Sequence, residues 1–206
     1  MDKRKGIVFG LLILLFIIVS LYFDLEIVKG VSFLRNDILN EFFLGLTFIS
    51  STIIIFFFLT SLFLWREHKR RWILPLWITF GLSALVSFTL KIIIQKSRPF
   101  QLGIISILPV LEKASHLVWN FSFPSFHAML VFCALPILSK QFKKFRYFWI
   151  VFAGLIAFSR VYFGLHFLSD VVTGGLIGYL LGIIIVRLEK DHKFGEKVYK
   201  KVFRRI

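Results

Sequence analysis

Six long apolar segments, separated by short polar stretches, limit most strongly what this chain can fold into. Most of them reach the roughly 20 residues with which an α-helix crosses a bilayer, and the fourth is shorter. The segments are roughly 6–23, 42–65, 72–94, 124–138, 147–165 and 167–186. We therefore predict an all-α integral membrane protein with six transmembrane helices.

The composition excludes a soluble domain. Of the 206 residues, 58% are hydrophobic and 18% aromatic, and a soluble protein of this size could not bury so much apolar surface. This length predicts one membrane-embedded domain, 1–206. The first segment follows three basic residues, as in a signal peptide, but it lacks a small-x-small cleavage site and is expected to stay as a span. The single cysteine, Cys133, permits no intrachain disulfide and is expected to be a packing residue.

Basic residues predict the orientation of the spans. They occur in four short stretches, 3–5, 66–71, 140–146 and the tail from about 187 to 206, which together contain 19 of the 26 Lys and Arg residues. In a six-span topology these stretches share one side, which the positive-inside rule makes the cytoplasmic side of the plasma membrane. Both termini are therefore expected in the cytoplasm. The stretches form no continuous basic face, so despite the net charge of +15 we expect no nucleic-acid partner.

Three connecting or terminal segments are too long to be simple turns. Segment 24–41 has apolar residues at helical spacing, and it is either a helix in the membrane interface or a loop against neighbouring spans. Segment 100–123 is expected to rest on the outer membrane surface beside the site. The tail is either an amphipathic helix on the anionic inner leaflet or a solvated determinant of topology.

Ionisable groups among apolar residues are costly and mark candidate functional sites. In the stretch SRVYFGLHFLSD, His166 and Asp170 are four residues apart and would share one face of a helix. A carboxylate there can fix the tautomer of the imidazole and leave the other nitrogen as a nucleophile or base. Arg160 lies at the outer end of the fifth segment, and Gly164 permits a tight reversal. A structural His–Asp pair is the alternative interpretation.

A second group of polar residues ends the third segment. The stretch KIIIQKSRP places Lys91 and Arg98 two helical turns apart, so both would face one side if the helix continues to Pro99. Lys96 lies off that face and is expected to extend its ammonium to the membrane interface.

A third group opens the fourth segment. In FSFPSFHAML, Pro124 suits the first position of a helix, whose free N–H groups form an anion site. Ser125 adds a hydroxyl, and His127 adds a proton donor or acceptor. Three separate stretches thus converge on one outer-face locus with cations for a phosphate group and histidines for acid–base or nucleophilic chemistry. Its members are Lys91, Arg98, Ser125, His127, Arg160, His166 and Asp170.

The motifs K-x6-R-P, P-S-x-H and S-R-x5-H-x3-D, in this order, resemble the three signature motifs of the type 2 phosphatidic acid phosphatase family. That family shares its helical core with the vanadium haloperoxidases, and its bacterial members have six spans. The resemblance implies that His166 attacks phosphorus to give a phosphohistidine, that His127 protonates the leaving group and that Asp170 orients His166. It assigns the phosphoryl oxygens to four side chains, which are those of Lys91, Arg98, Ser125 and Arg160.

One position departs from the family pattern. The family usually has glycine where this chain has Phe126, whose backbone N–H is expected to keep its contact with the phosphate if the ring turns away. We expect the ring to pack against a neighbouring span or the membrane-facing rim of the site.

The resemblance also implies a lipid phosphate as substrate and favours undecaprenyl diphosphate. The predicted orientation of the spans places its hydrolysis at the outer leaflet. Phosphatidylglycerophosphate, phosphatidic acid and transfer of the phosphate to another acceptor are the alternatives. No cofactor is implied, and because the outer-face acids lack metal-ligand spacing, we expect no metal and activity that survives EDTA. The alternative from another class is a non-enzymatic anion transporter, although transporters usually place such charges near the midplane of the membrane. The oligomeric state stays open.

Overall fold

The computed structural model describes residues 3–112 and 121–203, and every regular element within these two ranges is helical. The predicted all-α class is confirmed. In chain order the elements are α1 (Lys3–Tyr22), α2 (Asp24–Ser32), α3 (Asp37–Ile49), α4 (Thr52–Leu64), the 3₁₀-helix η1 (Glu67–Trp72), α5 (Ile73–Ile94), α6 (Pro109–Glu112), α7 (Phe126–Cys133), α8 (Leu135–Gln141), α9 (Phe145–Tyr162), α10 (Leu168–His192) and α11 (Phe194–Phe203). Residues 113–120, within the predicted outer segment 100–123, lie outside the described residues.

Three helical stretches among the described residues are long and apolar enough to cross a membrane: η1 with α5, α9, and α10. Two bent pairs, α1 with α2 and α3 with α4, raise the number to five if each pair is one span. Helices α7 and α8 together form a shorter apolar helix, Phe126–Gln141, at the place of the predicted fourth segment. A membrane-spanning helical architecture follows, whereas the count of six spans stays a prediction.

The second predicted segment, 42–65, is interrupted. Helix α3 ends at Ile49, α4 begins at Thr52, and their axes differ by 60°. The hydroxyl of Ser51 accepts a hydrogen bond from the N–H of Ile54 and thereby starts a new helix. The break leaves the end of α3 beside the end of α9, where the side chain of Thr47 contacts Arg160.

Two segments whose structure was left open by the sequence are helical. Segment 24–41 forms α2, a turn, and the start of α3, whose N-cap residue Asn36 accepts a hydrogen bond from the N–H of Leu39. The tail forms α11 after α10, which extends to His192, beyond the predicted end at residue 186. Whether α2 and α11 lie at the membrane surface stays a prediction.

The closest helix pair is α7 against α10. Three glycines of α10, one on each turn, meet backbone oxygens of α7; the pairs are Gly174 with Ser125, Gly178 with Met129 and Gly182 with Cys133. A Cβ atom at any of these glycines would come within 2.6 Å of the facing oxygen, so only glycine permits this approach. Cys133 is buried at this interface, as expected of a packing residue. The pairing brings the first turns of α7 and α10 together.

The helix bundle has two chemically different ends. We name "site end" the end where α5 and α9 finish and α7 and α10 begin. We name "basic end" the opposite end, where η1, the end of α8 and α11 meet. There Lys69 Nζ donates to the carbonyl of Gln141 (2.5 Å), and Arg71 Nη1 lies 2.9 Å from Glu196 Oε2. The 22 residues of α5 separate the two ends by about 33 Å.

Candidate active site

The turn between α9 and α10 carries His166. The chain reverses at Gly164, which has a φ of +66°, in the left-handed region that favours glycine. The N–H groups of Leu165 and His166 then both donate to the carbonyl of Arg160, at 3.0 and 3.2 Å. His166 therefore lies in the turn before α10, and the prediction that it shares a helix with Asp170 is wrong.

The imidazole of His166 is oriented by a backbone carbonyl. Its Nδ1 lies 2.7 Å from the carbonyl oxygen of Ser122, which can only accept, so Nδ1 carries the proton and Nε2 is the unprotonated nitrogen with the lone pair. The distance from Nδ1 to Asp170 Oδ2 is 3.9 Å, which is too long for a hydrogen bond. The predicted direct contact between His166 and Asp170 is therefore not formed.

The position of Asp170 explains why. Asp170 is the third residue of α10, and its Oδ2 turns back to accept the N–H of Phe167 at 2.9 Å. The same oxygen accepts the hydroxyl of Ser122, the residue whose carbonyl holds His166. Asp170 thus acts on the imidazole through Ser122. Ser122 lies outside the three motifs, and its short polar side chain gave no signal in the sequence.

Burial and the neighbouring charge of Arg98 lower the pKa of His166 to about 3. Only 3% of the residue is exposed. The ring is therefore neutral at physiological pH, as a nucleophilic imidazole must be.

Lys91 and Arg98 do not lie on one continuous helix, although the sequence predicted one. Helix α5 ends at Ile94, because Gln95 adopts a left-handed conformation with a φ of 49°, so the helix does not continue to Pro99. Lys91, in the last turn, donates to the carbonyl of Phe121 at 2.5 Å. Arg98 lies in the following segment.

Arg98 contacts the turn that carries the candidate nucleophile. Its Nη1 donates to the carbonyl of Leu165 at 2.8 Å and lies 3.3 Å from His166 Nε2. The positive charge of Arg98 thus lies directly at the unprotonated nitrogen of His166, Nε2.

Helix α7 presents its N-terminus to the same place. The helix begins at Phe126 with Ser125 as its N-cap residue, so Pro124 precedes the cap and does not occupy the first helical position as predicted. The first intrahelical bond of α7 joins the N–H of Met129 to the carbonyl of Ser125, which leaves the N–H groups of residues 126–128 outside the helix ladder. The hydroxyl of Ser125 is buried and has no hydrogen-bond partner among the described residues.

The two residues after Ser125 face different surroundings. Phe126 packs against the hydrophobic core formed by α4, α5 and α7–α9, and its ring centroid is 6.4 Å from that of His127. The ring of His127 is near enough to Arg160, His166, Arg98 and Lys91 for their charges to act on it. The phenylalanine ring is thus held in the core, while the histidine faces the cations.

Arg160 is 2% exposed and lies in the last turn of α9. Its guanidinium donates to the hydroxyl of Ser159 through Nε (3.1 Å) and Nη2 (3.0 Å), and Nη2 also donates to the hydroxyl of Thr47. Thr47 belongs to the interrupted second segment, and nothing in the sequence linked it to the site.

The prediction for Lys96 is wrong. Its ammonium does not extend to the membrane interface but donates to Asp170 Oδ1 (2.8 Å), Ser169 Oγ (3.0 Å) and Asp24 Oδ2 (3.1 Å). Asp24, at the start of α2, also accepts the N–H of Ser169 at 2.9 Å. In the sequence, Asp24 is one of the outer-face acids that lack metal-ligand spacing, and nothing there linked it to the site.

Together these residues can bind and attack a phosphoryl group. Lys91, Arg98 and Arg160 supply positive charge, Ser125 and the free N–H groups of α7 supply donors, and His166 supplies a neutral nitrogen with a lone pair. In the described part of the chain, no three His, Cys, Asp or Glu residues form a group that could hold a metal ion.

Comparison with known proteins identifies relatives of this chain. Residues 72–194 match the family model of the PAP2 superfamily. Phosphatidylglycerophosphatase B of Bacillus subtilis (strain 168) is 30% identical over 190 residues, which cover 84% of this chain and 87% of the relative. An undecaprenyl-diphosphatase of Sulfolobus acidocaldarius is 26% identical over 193 residues, or 88% of this chain and 91% of the relative.

A solved structure has the same fold. It is the crystal structure of a transmembrane PAP2-type phosphatidylglycerolphosphate phosphatase from Bacillus subtilis, with a TM-score of 0.69 and 26% sequence identity. The match covers 89% of this chain and 97% of that one.

Proposed function

This chain belongs to the PAP2 superfamily, and we propose that it hydrolyses undecaprenyl diphosphate to undecaprenyl phosphate and phosphate at the outer leaflet of the plasma membrane. Its relatives are phosphatases of lipid phosphates, and the chain is a lipid phosphate hydrolase. The observation that carries the proposed chemistry is the buried hydroxyl of Ser125, which has no hydrogen-bond partner among the described residues. Such a hydroxyl costs stability unless a ligand satisfies it. Ser125 caps the helix whose His127 lies near Lys91, Arg98, Arg160 and His166.

The proposed reaction begins at Nε2 of His166. Arg98 Nη1 is 3.3 Å from this nitrogen, so a phosphoryl oxygen held by Arg98 brings phosphorus within reach of the lone pair. The new N–P bond forms as the bond from phosphorus to the bridging oxygen breaks. The Nδ1 proton stays on the bond to the carbonyl of Ser122.

His127 completes the proton balance. In protonated form it gives its proton to the departing oxygen of undecaprenyl phosphate, and the negative charge of the substrate offsets the cations that surround the ring. Water then attacks phosphorus, His127 takes one water proton, and the N–P bond breaks. Phosphate leaves, and both histidines regain their starting states.

A groove beside the site supports a long hydrocarbon substrate. Its volume is about 730 Å³, and apolar residues of α2 and α7–α10 line nearly all of it. It extends along α9 from Val161 to Ile150 and along α10 from Leu168 to Tyr179. Eleven residues of helix are about 16 Å long. That length is about half of the ~30 Å hydrocarbon layer, so the groove fits a chain in one leaflet.

A second substrate is favoured by specific observations. The relative at 30% identity and the solved structure with a TM-score of 0.69 are both named for phosphatidylglycerophosphate. The test is phosphate release by purified protein from undecaprenyl diphosphate, phosphatidylglycerophosphate and phosphatidic acid. We expect the highest kcat/KM on undecaprenyl diphosphate, and a higher value on phosphatidylglycerophosphate would contradict this choice. Radiolabel recovered as free phosphate, and not in a second lipid, separates hydrolysis from phosphotransfer.

The covalent step has its own test. Brief incubation with ³²P-labelled substrate should leave an acid-labile, alkali-stable label on the wild-type protein and none on His166→Ala. His127→Ala and Asp170→Asn should both be severely impaired in turnover. Label on a folded His166→Ala protein would exclude the phosphohistidine at this residue.

The proposed sidedness is supported by the distribution of basic residues, because three of the four basic stretches meet at the end opposite the site. In a Cys133→Ala background, a membrane-impermeant thiol reagent should label Leu102→Cys, an exposed residue near the site, from outside intact cells. The exposed Lys143→Cys at the basic end should react only after permeabilisation. The reverse pattern would place the site in the cytoplasm.

A further inference from the structure

Lys96 is the centre of a polar cluster directly behind Asp170. Its three N–H donors are all used, by Asp170, Ser169 and Asp24, and the ammonium lies 4.3 Å over the ring of Phe167. The side chains of Asp170 and Asp24 are 0% and 9% exposed. The cluster joins the start of α2, the segment after α5 and the first turn of α10.

Both oxygens of the Asp170 carboxylate have defined partners. Oδ1 accepts from Lys96, and Oδ2 accepts from the hydroxyl of Ser122 and the N–H of Phe167. Lys96 therefore holds one oxygen of the carboxylate while the other oxygen contacts Ser122. Because the carbonyl of Ser122 accepts the Nδ1 proton of His166, the orientation of Asp170 is transmitted to the ring.

We propose that Lys96 and Asp24 are a positioning pair for this reaction, which holds Asp170 and, through Ser122, aims Nε2 of His166 at phosphorus. The inference rests on the proposed function, since it concerns the nucleophile of that reaction. Among the described residues, neither Lys96 nor Asp24 makes a hydrogen bond to the ring of His166, so both act through Asp170.

The charges of the cluster make the proposal testable. Asp24 and Asp170 both contact the ammonium of Lys96, which carries the single positive charge between these two buried carboxylates. Without that cation they repel each other, and Asp170 is stabilised by taking up a proton or by turning away from Ser122. Removing the charge of Asp24 relieves the repulsion. A second substitution should therefore rescue the first.

The primary experiment compares Lys96→Met, Asp24→Asn and the double variant in lipid phosphate hydrolysis. We expect Lys96→Met to lower kcat about 10- to 100-fold with KM changed less than threefold, and Asp24→Asn to lower kcat less than fivefold. The kcat of the double variant should be at least fivefold higher than that of Lys96→Met. Lys96→Arg, which keeps the charge, should stay within about threefold of wild type.

The pH profile gives a readout that a merely structural residue would not change. Asp170 is faced by Lys91 from α5, Lys96 and Arg98 from the segment after α5, Asp24 from α2, and His166. Loss of the Lys96 charge strengthens proton binding by Asp170. The acid limb of the kcat profile should therefore move to higher pH in Lys96→Met and return toward the wild-type position in the double variant.

A binding measurement tests the pair without lipid hydrolysis. Orthovanadate can take a fifth ligand from Nε2 and mimic the transition state, whereas inorganic phosphate needs only the cations. By calorimetry we expect Lys96→Met to weaken orthovanadate binding about tenfold and phosphate binding less than threefold. Matched controls are Lys29→Met and Glu26→Gln, exposed on α2, which should change neither affinity nor kcat.

The outcomes separate two failures. If the wild type releases no phosphate from any lipid, the proposed function is wrong, and the orthovanadate comparison still decides the role of the pair. Unchanged kcat and orthovanadate affinity in Lys96→Met would contradict the positioning role. Equal losses of orthovanadate and phosphate affinity, or no rescue by Asp24→Asn, would also contradict it. If Lys96→Met does not fold, the kcat of Lys96→Arg and Asp24→Asn decides. Values within about threefold and fivefold of wild type support the proposal, and a larger loss in either variant contradicts it.

Discussion

At the site end, Lys91 and Arg160 are 8% and 2% exposed, whereas at the basic end the side chains of Arg71 and Lys200 are 44% and 51% exposed. The buried cations are hydrogen-bonded to carbonyls and hydroxyls, and the exposed ones share the carboxylate of Glu196. A buried cation carries a large desolvation cost, so it is expected where its charge is used in chemistry. An exposed ion pair contributes little stability, and the basic residues at that end are predicted to determine membrane orientation.

The largest expected effect contrasts two histidines. His166→Ala should lower turnover by about 10⁴-fold or more, because it removes the proposed nucleophile. His192→Ala, exposed at the end of α10 near the basic end, should stay within twofold of wild type. Phosphate release from lipid vesicles measures both. Substantial turnover by folded His166→Ala would contradict the assignment of the chemistry to His166 at the site end.

The second contrast concerns arginines. Arg160→Met should lower kcat about 10²- to 10³-fold, since it removes a buried cation that is proposed to stabilise the developing phosphoryl charge. Arg71→Met, with an exposed side chain, should change kcat less than twofold. Thermal unfolding in detergent should accompany the assay, because the hydroxyls of Thr47 and Ser159 lose their donor in Arg160→Met. Equal kcat values for the two folded variants would contradict the assignment of Arg160.

Ser125→Ala should affect activity and stability in opposite directions. Turnover should fall about 10- to 100-fold, because a donor to the phosphoryl oxygens is lost. The unliganded protein should be at least as stable as wild type, since the removed hydroxyl is buried without a partner among the described residues and such groups cost about 1–3 kcal/mol. Parallel kinetics and thermal unfolding test this. A loss of stability with intact turnover would assign Ser125 to packing.

Phe126→Gly is expected to have a smaller effect on chemistry. The backbone N–H at the start of α7 is retained, so hydrolysis should continue. Loss of the ring from the core should change the ratios of kcat/KM among undecaprenyl diphosphate, phosphatidylglycerophosphate and phosphatidic acid severalfold. The same panel of lipids measures it. Loss of turnover on every substrate would show that the ring positions His127, contrary to our interpretation.

The smallest effect is expected at the basic end. Lys200 lowers the pKa of Glu196, with a further contribution from Arg71, so the pairs stabilise α11 only while Glu196 is ionised. Their contribution should be complete above the usual pKa range of glutamate and should be lost as the pH falls through the lowered value. Glu196→Gln should leave turnover unchanged and shift Tm only slightly, and high salt should abolish the shift. A large, salt-resistant shift would show that this end is not merely a solvated surface.

Several features of the protein follow from the sequence alone. Apolar runs of about 20 residues impose membrane helices, because a helix satisfies all its backbone groups in lipid within a single segment. The positions of His127, His166 and Arg160 at the ends of such runs predicted that they would meet. Helices of similar length that cross one layer place their ends at only two levels, so residues far apart in sequence fall at the same end.

Tertiary structure decided what those residues contact. The acceptor for Nδ1 of His166 is the carbonyl of Ser122, 44 residues away, and the second carboxylate partner of Lys96 is Asp24, 72 residues away. Neither pairing leaves a periodic signal in the sequence, because a hydrogen bond depends on the position of two atoms within about 3 Å. The flexible stem of Lys96 could reach the membrane interface or the core equally well. Only the packing of α2 against the first turn of α10 supplied two carboxylates and drew the ammonium inward.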